Sequence, residues 1–455
     1  MQTTLHHRPT PQVKGWPLVG NTFDFVRDPL RFLRRMQQQY DRVVGLHIAN
    51  RRITLTLTPE DAKYILQENN KNYHKSEAYK VLSLFLGNGL LNSEGDFWRR
   101  QRRLSQPAFH RQRLALLVDT MNEESREIVS RWKQHDAALP VDISHEMMRL
   151  TLAIVTRSMF SSDVKNRLDN LSDAIDTILA TAQAKLYEFI HIPMHIPTPQ
   201  NVRYRKAVEK VEAVIYDIIN RRRTEAGTIR HDDLLAMLME ARDEETGEGM
   251  TDRQVRDEVA TIFMAGHETT ANALSWALYL LAKHPDVVGK LREEISRVLG
   301  PDGQPTMENL RDLTYTMQVV QETMRLYPPA WIFSRKPIAD DTLEGGYRLP
   351  VGNGVLICPY LLHRNPKFWE NPDTFDPDHF LPERVKQRPT YAYLPFGGGP
   401  RLCIGNNFAL MEMQIVLVHL VRAFDFRTTR RDVIVPEPGI TLRPKGGLRL
   451  RIQKM

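Results

Sequence analysis

Apolar side chains recur at helical spacing through most of the chain after about residue 95, and β-rich runs occur near its start and end. VVGLHIANRRITLTLT (43–58) holds two such runs about Ala49 and Asn50 and predicts a hairpin. PEDAKYILQEN then opens a helix, with Pro59 and acidic residues in its first turn. The longest helical stretch, DRQVRDEVATIFMAGHETTANALSWALYLLAKHP, is opened by Thr251 and stops near Pro285. IGNNFALMEMQIVLVHLVRAF spaces Phe408, Met411, Ile415 and Val418 along one helical face with few charges, which predicts a buried helix. GITLRPKGGLRLRI predicts two short strands joined as a hairpin about Gly446 and Gly447. AYKVLSLFLGNGLLNSEG and AKLYEFIHIPMHIPTPQ (184–200) are apolar but broken by glycine or proline, and predict loops or loop-edged helices that close over something.

Composition narrows this picture without redirecting it. A length of 455 residues suggests about three domains by the usual rule. No linker supports a split, however, and the most polar break, ARDEETGEGMTD at 241–252, reads as a loop between helices, so a single domain over 1–455 is expected. With 42% hydrophobic and 26% charged residues, the chain is that of an ordinary folded protein with a sizeable core. The only cysteines are Cys358 and Cys403, which excludes a cysteine-rich zinc or iron–sulfur site and a disulfide framework, and points to a reducing cytoplasm. No run approaches the ~20 apolar residues of a membrane span, so no transmembrane segment and a soluble protein are expected. The net charge of +7 comes with no nucleic-acid motif and supports at most a weak preference for acidic partners.

The chemistry concentrates in FGGGPRLCIG, Phe396 to Gly405. Gly397 to Gly399 and Pro400 forbid a helix or central strand, so Cys403 ends a loop and lies at the N-terminus of the buried helix that follows. Unpaired N–H groups and the positive end of the helix dipole there favour a thiolate, the form that ligates iron. A lone cysteine is more often a buried structural side chain, but its neighbours point the other way. Phe396, Gly399, Arg401, Cys403 and Gly405 match F-x-x-G-x-R-x-C-x-G, and the stretch resembles the haem-binding loop of the cytochrome P-450 superfamily.

The resemblance implies that Cys403 is the proximal ligand of a haem b (iron protoporphyrin IX). It implies that Phe396 packs beside the sulfur, that Arg401 pairs with a haem propionate, and that Gly405 lets the helix approach the porphyrin. Three further motifs follow the family's order. Trp98 and Arg102, at i and i+4, match W-x-x-x-R, whose side chains reach haem propionates; Arg335 in WIFSRKP resembles the other propionate-binding arginine. AGHETT, with Ala265 and Gly266, matches the motif whose glycine leaves room for dioxygen and whose acid and threonine, here Glu268 and Thr269, relay protons; Thr270 reads as structural. Gly266 costs about 1 kcal/mol relative to alanine in a helix, and the two threonine hydroxyls can turn back onto backbone carbonyls, so the helix is locally weak. Glu322 and Arg325 match E-x-x-R, a buried brace beneath the haem loop that is completed by an arginine; FDPDHF puts His379 in that place, which would make the brace sensitive to pH near neutrality.

The implied fold is mainly α with a small β region, a triangular helical prism with a long central helix over the haem. The implied function is haem-thiolate monooxygenation, in which O2 and two electrons place one oxygen atom in an apolar organic substrate. Alternatives are a peroxide-driven peroxygenase and a non-catalytic haem-binding sensor, but the Glu268–Thr269 pair argues against the first. No fused reductase follows the last strand, so a separate ferredoxin- or flavodoxin-type donor is implied, and Arg99, Arg100 and Arg103 either form an exposed basic face or help dock it. The loop around LGNGLLNSEG resembles fatty-acid ω-hydroxylases, with Ala265 where many of those carry a haem-esterifying glutamate, whereas RLYPPAWIFSR and TLRPKGGL resemble a carotenoid hydroxylase. A fatty acid, terpenoid or carotenoid-like substrate fits both. Leu84, Phe85, Leu86, Trp331, Ile332, Phe333 and Ile440 or Thr441 are the candidates to touch it, with core packing as the alternative; His191 and His195 read as packing or surface histidines.

Overall fold

The computed structural model describes residues 8–48, 51–162, 168–186, 192–225, 233–243, 245–429 and 434–455. It is predominantly helical with small sheets. The helices used below are α1 (Lys80–Leu86), α2 (Gly95–Ser105), α3 (Ile143–Phe160), α4 (Leu168–Leu186), α5 (Asp252–Lys283), α6 (Thr314–Leu326) and α7 (Asn406–Ala423). The strands are β1 (Val43–Ile48), β2 (Arg51–Thr56), β3 (Tyr73–Lys75), β4 (Val141–Asp142), β5 (Phe333–Pro337), β6 (Asp341–Leu343), β7 (Tyr347–Leu349), β8 (Gly354–Ile357), β9 (Phe424–Thr428), β10 (Pro436–Pro438), β11 (Leu442–Pro444) and β12 (Arg449–Lys454). Contacts group the chain into two compact units, one of residues 1–81, 186–190 and 324–403, the other of 82–185, 191–323 and 404–455. Among the described residues, no helix is long and apolar enough to cross a membrane.

The first unit is built on a five-stranded sheet in the order β1-β2-β8-β5-β3. β1 and β2 pair antiparallel, Val43 opposite Thr56 and Ile48 opposite Arg51, as the two β-rich runs predict; the connecting residues 49 and 50 lie outside the described residues. The helix predicted from Pro59 forms, with the Thr58 side chain accepting the Asp61 amide, and runs into a π-helical turn at Tyr64–Glu68. Ile65 and Leu66 of that turn are buried with Val355, Ile357, Leu362 and Leu394. Asp341 accepts from Tyr73 (2.5 Å), Tyr64 (2.9 Å) and Asn69 (2.9 Å), which satisfies a carboxylate that would otherwise be costly to shield from water.

In the second unit α5 is the long buried helix, and its start is a capping box between Thr251 and Gln254. α3 packs on it. The Thr151 hydroxyl donates to the His267 carbonyl at 3.0 Å, and a Cβ at Gly266 would lie 3.1 Å from Val155, so the helix-weakening glycine lets α3 approach closely. The end of α1 and the 87–92 loop after it are fastened to the start of α5. Arg256 donates to the Phe85 carbonyl (2.7 Å), Asp257 accepts from the Asn88 amide (2.9 Å) and Glu258 from the Leu90 amide (3.0 Å). Side chains at Gly87 and Gly89 would collide with Asp257 and with Thr261.

The C-terminal hairpin is not formed as predicted. β11 pairs with β10 and β12 pairs with β9 and β4, so the strands either side of Gly446 and Gly447 enter different sheets. β11 ends at Pro444, which has no N–H to extend a ladder, and Gly446 and Gly447, both at positive φ, turn the chain away. β12 buries Leu450, between Val141 of β4 and Thr428 of β9, and Ile452, opposite Phe426 of β9. The hairpin that does form is β10–β11, and its turn carries Gly439, Ile440 and Thr441.

Candidate active site

In the first unit, the Cys403 amide donates to the Phe396 carbonyl at 3.0 Å and closes the loop between them. Gly397 and Gly399 hold positive φ within it. A Cβ at Gly399 would lie 1.9 Å from the Leu66 carbonyl oxygen, so this glycine is required by the π-helical turn beneath the loop. The two cysteines differ sharply. Cys403 is exposed beside Leu402, whereas Cys358 is buried, donates to the Trp331 carbonyl at 3.3 Å, and has its thiol pushed up to about 12 by that burial. Cys358 is the inert structural cysteine and Cys403 the accessible one.

The loop is tied to α6 through His363, which no motif in the sequence marks. Arg325, fully buried, donates to the carbonyls of His363 (2.8 Å), Pro372 (2.6 Å) and Thr374 (2.9 Å). His363 Nε2 accepts the Leu394 amide at 2.7 Å, which leaves Nδ1–H to donate to the Arg325 carbonyl at 3.2 Å. Burial, with Arg325 and Arg364 nearby, holds His363 well below the ordinary histidine range, so the ring stays neutral as its accepting Nε2 demands. Leu394 lies two residues before Phe396. His363 thus links the buried arginine to the start of the cysteine loop.

Glu322, one turn before Arg325 on α6, is also fully buried. His379, in the position expected for an arginine, is buried, donates Nε2–H to the Glu370 carbonyl at 2.7 Å and meets Trp369 edge-on. A guanidinium does stand nearby: Arg388 stacks 3.6 Å over the Trp369 ring and donates to the His379 carbonyl, while Arg325 lies 5.0 Å from the same ring. Arg388→Ala is expected to lower stability by about 1–2 kcal/mol, read as a urea-midpoint shift, and an unmoved midpoint would remove Arg388 from the brace.

In the second unit, the centre of α5 carries the acid and the alcohol. The Thr269 hydroxyl donates to the Ala265 carbonyl at 2.7 Å and that of Thr270 to the Gly266 carbonyl at 3.2 Å, the backward bonds expected from the sequence, and the helix continues unbroken through them. Ala265 is exposed and Thr269 half-buried, in a helix otherwise buried on most faces. Glu268 is buried and accepts from the Thr441 hydroxyl at 2.5 Å; Thr441 in turn accepts from Asn272 Nδ2 at 3.0 Å. Burial raises the Glu268 carboxyl to about 7, against the lowering pull of the Thr441 bond and the Arg443 charge. His267, buried with Nδ1 bonded to the Phe263 carbonyl at 2.8 Å, is pushed down to about 4 and is neutral. A second acid missed by the sequence reading is Glu412 on α7, fully buried and held well above the carboxylate range by that burial, with Thr270 only partly offsetting it.

The basic face of α2 is left to solvent at Arg99 but paired at Arg100 and Arg103. Arg103 pairs with Asp243 (2.5 Å) and Glu245 (3.1 Å), Arg100 donates to the Glu248 and Gly249 carbonyls, and Arg99 pairs with Asp96. Arg103 holds Asp243 down at about 2. Asp243, Glu245, Glu248 and Gly249 therefore take up the Arg100 and Arg103 part of the face read as a donor-docking surface. Trp98 and Arg102 are half-buried on α2, and Arg102 Nε lies 3.4 Å from Gln106. Arg335 is buried on β5, in the same unit as half-buried Arg401, and donates to the Ser334 carbonyl at 2.9 Å. A Cβ at Gly405 would meet only Phe109, at 3.9 Å. Of the substrate candidates, Phe85, Leu86 and Trp331 are packed as core, Leu84 is exposed, and Ile332, Phe333 and Ile440 are half-buried. His195 is a surface residue, and His191 lies outside the described residues.

Known relatives bear on the whole chain. It is 36% identical over 444 residues to cyclooctatin synthase of Streptomyces melanosporofaciens, covering 97% of this chain and 93% of that protein. It is 33% identical to cyclooctat-9-en-7-ol 5-monooxygenase of the same organism (94% and 89% covered) and 33% identical to pentalenene oxygenase of Streptomyces avermitilis (89% and 88% covered). Residues 9–450 match the cytochrome P450 family as one continuous span, so the chain belongs to that family and is an oxidoreductase of the monooxygenase class.

Proposed function

We propose that the chain acts as a single haem domain over residues 1–455 and hydroxylates an apolar terpenoid, using O2 and two electrons from a separate ferredoxin- or flavodoxin-type donor. The observation that carries this reading is the exposed Cys403 thiol at the end of a loop pinned by its own amide to Phe396, in a chain whose other cysteine is buried and inert. The residues present fit haem b. Cys403 offers a soft anionic donor for iron, and Arg335 and Arg401 of the same unit offer partners for propionates. Bound through that thiolate, a haem would supply activation of O2 and cleavage of the O–O bond.

The protein's own contribution is positioning and protons. Glu268 keeps its carboxyl protonated into the neutral range and acts as the acid, and Thr269 presents a hydroxyl on the same turn of α5. Ala265 leaves no carboxylate at the position of a haem-esterifying glutamate, so no ester link is expected there. Among the substrate classes open from the sequence, a terpenoid is favoured by relatives named for the oxidation of pentalenene and of cyclooctat-9-en-7-ol.

The test is the absorbance of the reduced CO complex. The thiolate-type red-shifted band is expected, and Cys403→Ser should abolish it while Cys358→Ser leaves it in place. A wild-type protein that binds haem without that band would overturn the assignment of Cys403. Turnover of a terpenoid with a reduced nicotinamide cofactor and a surrogate reductase, with peroxide removed by catalase, separates the monooxygenase from a peroxygenase, which would fall silent.

A further inference from the structure

The acid of α5 is held by a residue 173 positions away, on the turn of the β10–β11 hairpin. Thr441, Asn272 and Glu268 are all buried, and Asn272 lies one helical turn after Glu268, so the Thr441 hydroxyl sits against one face of α5 between them. The hydrogen bonds have a direction. Asn272 Nδ2 donates to one lone pair of Thr441 Oγ1, and the Thr441 O–H donates to Glu268 Oε1. A protonated carboxyl whose Oε1 is occupied as an acceptor carries its proton on Oε2.

We propose that Thr441, steadied by Asn272, is the positioning residue for proton delivery by Glu268: it commits Oε1 as an acceptor and leaves Oε2 as the oxygen that gives up and regains the proton. The inference rests on the reading of Glu268 as the acid. In the step, the Oε2–H bond breaks as the proton passes to a water hydrogen-bonded to Oε2, where a new O–H bond forms; the carboxylate is held by the Thr441 hydroxyl, and a proton returned from water restores the acid, with no electron moved. The charged groups around Glu268 suit both states. From β11, Arg443 favours the carboxylate; it is itself paired with Glu437 at 2.8 Å. From α4, Asp176, which burial raises above the ordinary carboxylate range, opposes it. His267, next to Glu268 on α5, is neutral and turned to the Phe263 carbonyl.

The readout is the infrared carbonyl band of protonated Glu268 in the ferric holoenzyme, identified by its loss in Glu268→Gln and titrated with pH. The wild-type midpoint is expected near neutrality. Thr441→Val removes the donor to the carboxylate and should move the midpoint upward by about one pH unit and shift the band frequency, with coupled turnover falling roughly tenfold. Thr441→Ser, which keeps the hydroxyl, should restore the midpoint, the frequency and the turnover. An unmoved band in Thr441→Val, or a shift that Thr441→Ser fails to reverse, overturns the clasp while leaving Glu268 as the acid. Full coupled turnover by Glu268→Gln overturns the assignment of Glu268 and the role of the clasp with it.

Discussion

Arg325→Ala is expected to destabilise the protein by about 3–5 kcal/mol and to strip it of haem. The guanidinium is fully buried, and its hydrogen bonds run to the carbonyls of His363, Pro372 and Thr374, spread over the segment that leads to the cysteine loop. Alanine leaves those buried acceptors without a donor, at about 1–3 kcal/mol for each one that finds no replacement, and opens a gap beside Trp369. Damage then passes to the cysteine loop, because the guanidinium holds the backbone carbonyl of His363, whose ring accepts the Leu394 amide. Arg325→Lys should recover only part of the loss, since one ammonium cannot span acceptors placed for a planar fork. Urea unfolding and haem content measure both effects. A midpoint within about 1 kcal/mol of wild type would show that water replaces the guanidinium at those carbonyls.

Much of this arrangement was legible in the sequence, and what was not has a common physical cause. The cysteine loop announces itself because three glycines and a proline leave the backbone few other options, and α5 because its cap, its apolar faces and its terminal proline agree. The same holds for β1 and β2, whose pairing needs only a two-residue connection. Contacts made across long sequence separations left no such mark. β12 could pair with its neighbour β11 or with distant strands, and its alternation of Leu450 and Ile452 is the same for either. His363 sits in a plain HRNP run, and only the three-dimensional position of Leu394 turns its ring into a link. The arginines of α2 read as a solvated face because their partners, Asp243 and Glu245, lie some 140 residues away in a loop that looks polar on its own account.

Glu268 makes the opposite trade from Arg325, and Glu268→Gln should stabilise the protein at alkaline pH while lowering its turnover. The carboxyl is raised from an ordinary 4.5 to about 7 by burial, so between those values the folded chain binds more protons than the unfolded one. The favourable contribution of the neutral acid is therefore fully present below about pH 4.5, is lost as pH rises through about 7, and does not return above it. Glutamine has no such dependence and can still accept the Thr441 hydroxyl on its own Oε1. Relative to wild type, the variant should gain roughly 2–3 kcal/mol between about pH 5 and pH 8.5, taking 1.36 kcal/mol for each unit by which the folded value is raised. Urea midpoints for both proteins at the two pH values test it, and parallel stabilities would show that Glu268 titrates normally in the fold. Coupled turnover should fall by about 100-fold or more in the same variant, the usual loss when a positioned acid is removed. A structural carboxyl would show neither effect, and a merely misplaced one would show the first without the second. Stability gained and turnover lost together identify a buried charge that is retained for the proton it delivers.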